Sequence, residues 1–185
     1  MRVISGTARG KKLNSLDGLE TRPTLDRVKE AVFNIIQFNI REASVLDLFS
    51  GSGALAIEAL SRGAKKAILC DVSNKAVNVI KENLETTRLI DKAKIINKDY
   101  KEALKKISKE SEKFDIIFLD PPYKTDCVIK SIDYIVQYNL LAEDGIIIVE
   151  TDDKNKINEI ENNKDLEVYD TRKYGRVYAV FIRKG

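Results

Sequence analysis

The sequence predicts a doubly wound α/β fold: a mostly parallel, seven-stranded sheet closed by an antiparallel C-terminal hairpin, with a small N-terminal arm. Three observations lead there. Short, continuously apolar runs alternate five times with helical patterns, as expected for parallel strands covered on both faces. Two further strand-like runs near the C-terminus are joined by a link too short for a crossover, so they must pair antiparallel. Residues 1–23 follow neither pattern and read as an arm or hairpin attached to a main domain over 24–185.

Each element has its own signal. Gly6, Gly10 and Gly18 punctuate short apolar pieces such as Val3-Ile4, which suits a hairpin. Thr24 opens a helix in which Val28, Ala31, Val32, Ile35 and Ile36 recur at helical spacing. Strands are expected over 44–49, 67–71, 93–96, 114–119 and 146–149. Helices are expected over 54–61, 75–86, 100–107, 127–138 and 155–161. The closing strands are 166–170 and 177–182, with a turn at Lys173-Tyr174-Gly175-Arg176.

Composition narrows the chemistry. A chain of 185 residues with 43% hydrophobic and 33% charged residues can bury a core and is not a disordered composition. No apolar run approaches the roughly 18 residues of a membrane helix, and the N-terminus lacks the apolar stretch of a signal peptide. A cytoplasmic monomer without a membrane or metal partner is expected. Cys70 and Cys127 form no CxxC pair and read as ordinary thiols. Histidine is absent, which removes histidine bases, Ser-His triads and His-ligated zinc. Chemistry must run on carboxylates, backbone groups, aromatics or a bound cofactor.

Two motifs carry that chemistry. In Asp47-Leu48-Phe49-Ser50-Gly51-Ser52-Gly53-Ala54 the first strand turns into a helix. Gly51 and Gly53 let the backbone approach a ligand, and the helix start offers free N–H groups. Asp71, at the end of the next strand, can hold both hydroxyls of a ribose. Asp47 would repel a pyrophosphate but suits the cationic amino acid end of S-adenosylmethionine. The bland alternative is a glycine turn beside a surface Asp.

The second motif is Asp120-Pro121-Pro122-Tyr123, directly after the fourth strand. Two prolines stop helix and sheet and fix the backbone, which leaves carbonyls without ladder partners. A carboxylate, a rigid carbonyl and an aromatic ring then converge. That trio suits a flipped base: Asp120 and the Pro121 carbonyl accept from an exocyclic amino group while Tyr123 stacks on the ring. In a doubly wound sheet the first and fourth strands are neighbours at the topological switch point, so the two motifs should adjoin.

At these residues the chain resembles a class I S-adenosylmethionine methyltransferase, a Rossmann-like fold. Arg9-Gly10-Lys11-Lys12-Leu13, Arg22-Pro23-Thr24-Leu25-Asp26-Arg27-Val28-Lys29-Glu30 with Phe33-Asn34, and Lys173-Tyr174-Gly175 closely resemble the RsmD family. Those enzymes are bacterial 16S ribosomal RNA guanine-N2 methyltransferases. The resemblance implies that Asp47, Ser50, Gly51 and Gly53 surround the methionine end of the cofactor, with Phe49 and Val72 also among the cofactor-binding residues. Asp71 would bind the ribose hydroxyls, Asp99 would accept from the adenine amino group, and Tyr100 would offer its backbone N–H. Asp120, Pro121, Pro122 and Tyr123 would hold the target base. The implied partner is 16S ribosomal RNA, free or in an assembling small subunit.

The net charge of +3 is small, but cations crowd both ends of the chain. Arg9, Lys11, Lys12, Arg22 and Arg27 at one end, with Lys173, Tyr174 and Arg176 at the other, form a candidate RNA footprint flanking the base pocket. The alternative is a pair of solvated basic ends. Two other functions share part of this pattern. A DNA adenine-N6 methyltransferase uses the same Asp-Pro-Pro-Tyr motif, but a sequence-specific one needs a recognition domain for which this chain has no room. A non-catalytic RNA- or nucleotide-binding module would not need the motif.

Overall fold

The computed structural model describes residues 1–16, 23–122 and 126–185. After the arm come α1 (Pro23–Ile35), β1 (Ser44–Asp47), α2 (Ala54–Ser61), β2 (Lys66–Asp71), α3 (Asn74–Thr87), β3 (Ala93–Asn97), α4 (Tyr100–Ser108) and β4 (Phe114–Leu119). They are followed by α5 (Cys127–Gln137), β5 (Leu141–Thr151), α6 (Lys154–Glu161), β6 (Leu166–Tyr174) and β7 (Val177–Lys184). The strands form one sheet in the order β3-β2-β1-β4-β5-β7-β6. The first five are parallel, and β7 pairs antiparallel with both β5 and β6. The expected doubly wound sheet with its antiparallel end is present, and β1 and β4 are neighbours.

Strand parity sorts the core into two layers. Val45, Leu69, Ile116, Phe118, Ile146 and Ile148 face α1, α2 and α3. Leu46, Ile68, Cys70, Ile117, Leu119, Ile147 and Val149 face α4, α5 and α6. Both layers are apolar because a parallel strand is buried on each face, which is why these strands read as unbroken hydrophobic runs.

Element ends shift by a few residues, with β1 stopping at Asp47 rather than at residue 49, and three differences matter more. β5 begins at Leu141, before the apolar run, and Leu141 pairs with Phe114 before the register shifts to Ile116 and Ile146. The polar residues Glu143 and Asp144 occupy that irregular stretch, which is why it looked like a loop. A 3-10 turn, Ile90–Lys92, precedes β3 and had no signal of its own. The expected turn over 173–176 is tighter. Lys173 and Tyr174 belong to β6, pairing with Tyr178 and Val177, and only Gly175 and Arg176 turn.

The arm is an antiparallel hairpin. Arg2 bridges Lys12, the Val3 N–H donates to the Lys11 carbonyl, and the Leu13 N–H donates to the Met1 carbonyl. Val3, Ala8 and Leu13 extend the α1–α3 core. Polar anchors fix it to α2. The Thr7 N–H donates to the Ser61 carbonyl at 2.8 Å, and Ser61 Oγ bridges the Ala8 N–H and the Ser5 carbonyl. Gly6 has φ +83°, and a side chain there would sit 1.8 Å from the Ser61 carbonyl oxygen, so only glycine fits.

Glu58 is the central anchor. It is fully buried on α2 and accepts from the backbone N–H groups of Ile4 and Ser5 at 2.8 and 3.0 Å. Arg62 Nε lies 2.8 Å and Lys29 Nζ 3.4 Å from its oxygens, so the arm, α1 and α2 meet on one carboxylate. Burial lowers the pKa of Lys29, and Glu58 opposes that shift. Glu58→Ala is expected to cost about 3–5 kcal/mol in urea unfolding, because it removes the counter-charge of the buried Lys29, which keeps only the Arg2 carbonyl, and strands two amide donors. A loss under about 1 kcal/mol would show that the arm is held by its apolar residues alone.

Candidate active site

The site lies at the carboxyl edge of the parallel strands. Parity carries the acidic residues there: Asp47 follows Val45 on β1, Asp71 follows Leu69 on β2, and Asp120 follows Phe118 on β4. Glu150, which the sequence reading did not single out, follows Ile148 on β5. All four therefore extend the α1–α3 side of the sheet, where the strands end and the helices begin.

The glycine loop is locked from inside. Ser50 Oγ donates to the Asp47 carbonyl at 2.8 Å, the Ser50 N–H donates to the Cys70 carbonyl, and the Gly53 N–H donates to the Ser50 carbonyl at 2.7 Å. Gly53 is the N-cap of α2 in the left-handed region, and a side chain there would press on Leu69 Cδ2 at 3.0 Å. Gly51 is different. It has φ +54°, and a side chain built on it would meet no atom within 4 Å, so the loop backbone lies open on its outer face. The Ser50 hydroxyl is spent on shaping the loop.

The carboxylates have distinct environments. Asp47 is 1% exposed; Oδ2 accepts from the Ala56 N–H at 3.3 Å, and Oδ1 has no partner among the described residues. Burial, opposed by the Ala56 hydrogen bond and reinforced by Asp120, pushes its pKa up to about 7. Asp71 accepts from the Gly51 N–H at 2.9 Å and the Ser73 N–H at 2.8 Å, which joins the two loops and leaves each oxygen a further lone pair. Burial pushes Asp120 up to about 6. Glu150 is raised well above the ordinary range by burial, then by the charges of Asp120 and Asp47.

The remaining candidates line the same edge. Val72 is 70% exposed beside Asp71, an unusual position for a large apolar side chain. Asn97 Nδ2 holds the Asp71 and Val72 carbonyls at 3.0 and 3.1 Å. Asp99 is exposed at the N-cap of α4 and accepts from the Lys101 N–H at 3.0 Å. The buried Tyr100 ring meets Phe49 at 5.6 Å. Pro121 is buried and Pro122 exposed. Tyr123 and Arg22 lie outside the described residues.

Asn83 also escaped the sequence reading. It is 1% exposed on α3, and its amide donates to the Ser52 and Asn14 carbonyls at 2.9 and 3.0 Å. Its Oδ1 accepts from the Asn14 N–H at 2.7 Å, so one side chain ties the arm to the glycine loop. Its signal was a polar residue on the buried stripe of Ala76, Ile80, Leu84 and Thr87.

The cations divide between two places. Arg9, Arg27 and Arg2 line a cleft of about 320 Å³ between the hairpin and α1, with Asp26 and Glu30 also on its wall. The hairpin turn sits at the Ser61 end of α2, about 12 Å of helix from the glycine loop. Lys11 and Lys12 lie exposed on the strand that returns from that turn towards Asn14. Lys173, Tyr174 and Arg176 flank the β6–β7 tip, which extends from the carboxyl edge because Thr151 pairs with Tyr178. Lys173 Nζ lies 5.2 Å from the Tyr178 ring. The β6–β7 group thus stands beside the site, whereas the Arg9 group stands along the α1–α2 face.

Among the described residues no group of three His, Cys, Asp or Glu side chains is placed to hold a metal ion. No helix among them is long and apolar enough to cross a membrane.

The raised carboxylates set a pH dependence. Asp47 binds its proton more tightly in the folded than in the unfolded chain, so its penalty is absent below the ordinary value of 3.8, grows as pH rises from there and is complete above about 7. Asp47→Asn should therefore raise the melting temperature at about pH 8 and leave it nearly unchanged near pH 4. An equal effect at both, measured by thermal unfolding, would rule out a strained carboxylate.

Comparison with known proteins gives this geometry a family. Residues 1–183 match the family described as conserved hypothetical protein 95. The chain is 44% identical over 152 residues to YlbH of Bacillus subtilis (strain 168), covering 82% of this chain and 83% of that protein. It is 38% identical over 153 residues to ribosomal RNA small subunit methyltransferase D of Haemophilus influenzae, covering 82% and 79%. The solved structure of yhhF from Escherichia coli superposes with a TM-score of 0.86 at 30% identity, covering 100% of this chain and 97% of that one. The chain has the class I methyltransferase fold and belongs to the conserved hypothetical protein 95, RsmD-like, methyltransferase family.

Proposed function

We propose that this methyltransferase transfers a methyl group from S-adenosylmethionine to the exocyclic N2 of a guanine in 16S ribosomal RNA. The observation that carries the reading is the meeting of the glycine loop and the Asp-Pro-Pro turn at the ends of two adjacent strands, β1 and β4. A methyl donor held by one is next to a base held by the other. Family membership supports methyl transfer to ribosomal RNA. The N2 position rests on the resemblance of the arm and hairpin motifs to the RsmD family.

The residues present fit the cofactor. Gly51 leaves backbone open to a ligand, Asp71 keeps lone pairs for ribose hydroxyls, and Val72 offers an exposed apolar surface to an adenine. The unpartnered Oδ1 of Asp47 suits a cationic amino group. Asp99 and the Tyr100 N–H stand at the start of α4 for the adenine edge. S-adenosylmethionine, when bound, supplies an electrophilic methyl on a sulfonium.

The target amine is a poor nucleophile because its lone pair is delocalised into the ring. Asp120 and the Pro121 carbonyl accept its two hydrogens and draw the nitrogen towards a tetrahedral shape, freeing the lone pair. As the nitrogen gains positive charge, the fixed Asp120 carboxylate stabilises it electrostatically. The proton leaves after the methyl arrives, and Asp120, already raised in pKa, can receive it. Tyr123 would stack on the base. Cations of the arm and of the β6–β7 tip position the phosphates while the pocket reads the base.

The test is a labelled-methyl assay offering small ribosomal subunits, naked ribosomal RNA and duplex DNA side by side. Transfer to RNA or subunits, with Asp120→Ala lowering turnover at least about a hundredfold while cofactor binding survives, is the expected result. Transfer to DNA alone, or undiminished turnover in Asp120→Ala, overturns the reading. Replacing Arg9, Lys11 and Lys12 by Ala should flatten the salt dependence of RNA binding by up to about 0.7–0.9 in log–log slope per lost contact. An unchanged slope with the fold intact would move the RNA footprint elsewhere.

A further inference from the structure

A turn that grips an amino group does not identify the base that carries it, since adenine and guanine both present one. The ring nitrogen beside that group differs. Guanine N1 carries a proton, whereas adenine N1 carries a lone pair. A pocket that takes guanine and refuses adenine therefore needs a second acceptor next to the one that holds the amine, aimed at the Watson–Crick edge.

Glu150 stands in that place. Leu119 pairs with Val149, so Asp120 and Glu150 are side by side at the next level of β4 and β5. Both share the parity of Phe118 and Ile148 and so face the α1–α3 side. Neighbouring strands lie about 4.8 Å apart, a span that suits acceptors for two adjacent donors on one base. Glu150 is 7% exposed, and its partner on β7 is Ala179, which brings no charge. On the helices over this face Lys29 and Arg62 are paired with Glu58, and Arg172, across β7 from Glu150, is paired with Asp170. Asp47 adds a second sign of a ligand, because Oδ1 is buried without a partner among the described residues.

We propose that Glu150 accepts the N1–H of the target base and thereby selects guanine over adenine; this rests on the guanine-N2 reading above. An acid buried beside two others is costly unless a ligand supplies donors or positive charge. A guanine supplies the donors, and a sulfonium cofactor supplies the charge. Both act against the effects of burial, Asp120 and Asp47 that raise the Glu150 pKa in the protein alone. With adenine the ionised carboxylate faces a lone pair, and it can pair only after taking up a proton.

The test uses ribosomal RNA fragments ligated to carry guanine, 2-aminopurine or adenine at the position that mass spectrometry shows to be modified. 2-Aminopurine keeps the 2-amino group but has a lone pair at N1. In single-turnover methyl transfer the wild-type protein should favour guanine over 2-aminopurine by about ten- to a hundredfold, the cost of an unmade buried hydrogen bond. E150Q can donate its amide to a bare N1 and accept from N1–H with its carbonyl. Its preference should fall to within about threefold, with S-adenosylhomocysteine binding unchanged by calorimetry. Equal wild-type rates on guanine and 2-aminopurine overturn the proposal while leaving the guanine-N2 reading standing. So does an E150Q variant that keeps the wild-type ratio. The wild-type comparison decides the matter even if E150Q does not fold. Wild-type transfer to adenine, or to none of the three, removes the parent reading and the proposal with it.

Discussion

Parallel strands point alternate side chains to alternate faces, and in this protein that parity brings Asp47, Asp71, Asp120 and Glu150 to one edge of one face. The rest of the site follows from the crowding of these acids. Asp71 is satisfied by the backbone of the glycine loop and of its own turn. Burial raises the pKa of Asp47, Asp120 and Glu150, and neighbouring carboxylates raise Asp47 and Glu150 further. Such an edge favours ligands that carry positive charge or several N–H donors. A sulfonium cofactor and an amino-bearing base have those properties, and a pyrophosphate does not.

The arm depends on a second buried acid. Glu58 faces away from the reaction, yet it binds the hairpin, α1 and α2 into one unit. Asn83 ties the far end of that hairpin to the glycine loop. The surface that carries Arg9, Lys11 and Lys12 is therefore rigidly referred to the loop, although Arg9 lies a helix length from it.

Much of this was legible in the sequence. Buried parallel strands are continuous apolar runs, so 114–119 and the adjacency of β1 and β4 could be read directly. The motif residues Asp47, Gly51, Gly53, Asp71 and Asp120 stand where a strand ends, and the structure brings them to one edge. Ser50 was legible only as a loop residue, because its hydroxyl turns inward to the Asp47 carbonyl. Glu150 was missed because it ends an apolar run without a proline or glycine to mark it, although its parity matches that of Asp120. Glu58 and Asn83 were missed because their partners lie 53 to 54 and 69 residues away in sequence. The early start of β5 was hidden by Glu143 and Asp144, polar residues in an irregular stretch of strand.

The proposed activity at this edge is methylation of the N2 of a guanine in small-subunit ribosomal RNA. Its most direct measurement is the nucleoside composition of 16S RNA, by mass spectrometry, from cells lacking the gene and from the same cells with it restored. One N2-methylguanosine is expected to disappear without the gene and return with it. Loss of N6-methyladenosine instead, or an unchanged nucleoside profile, would contradict it.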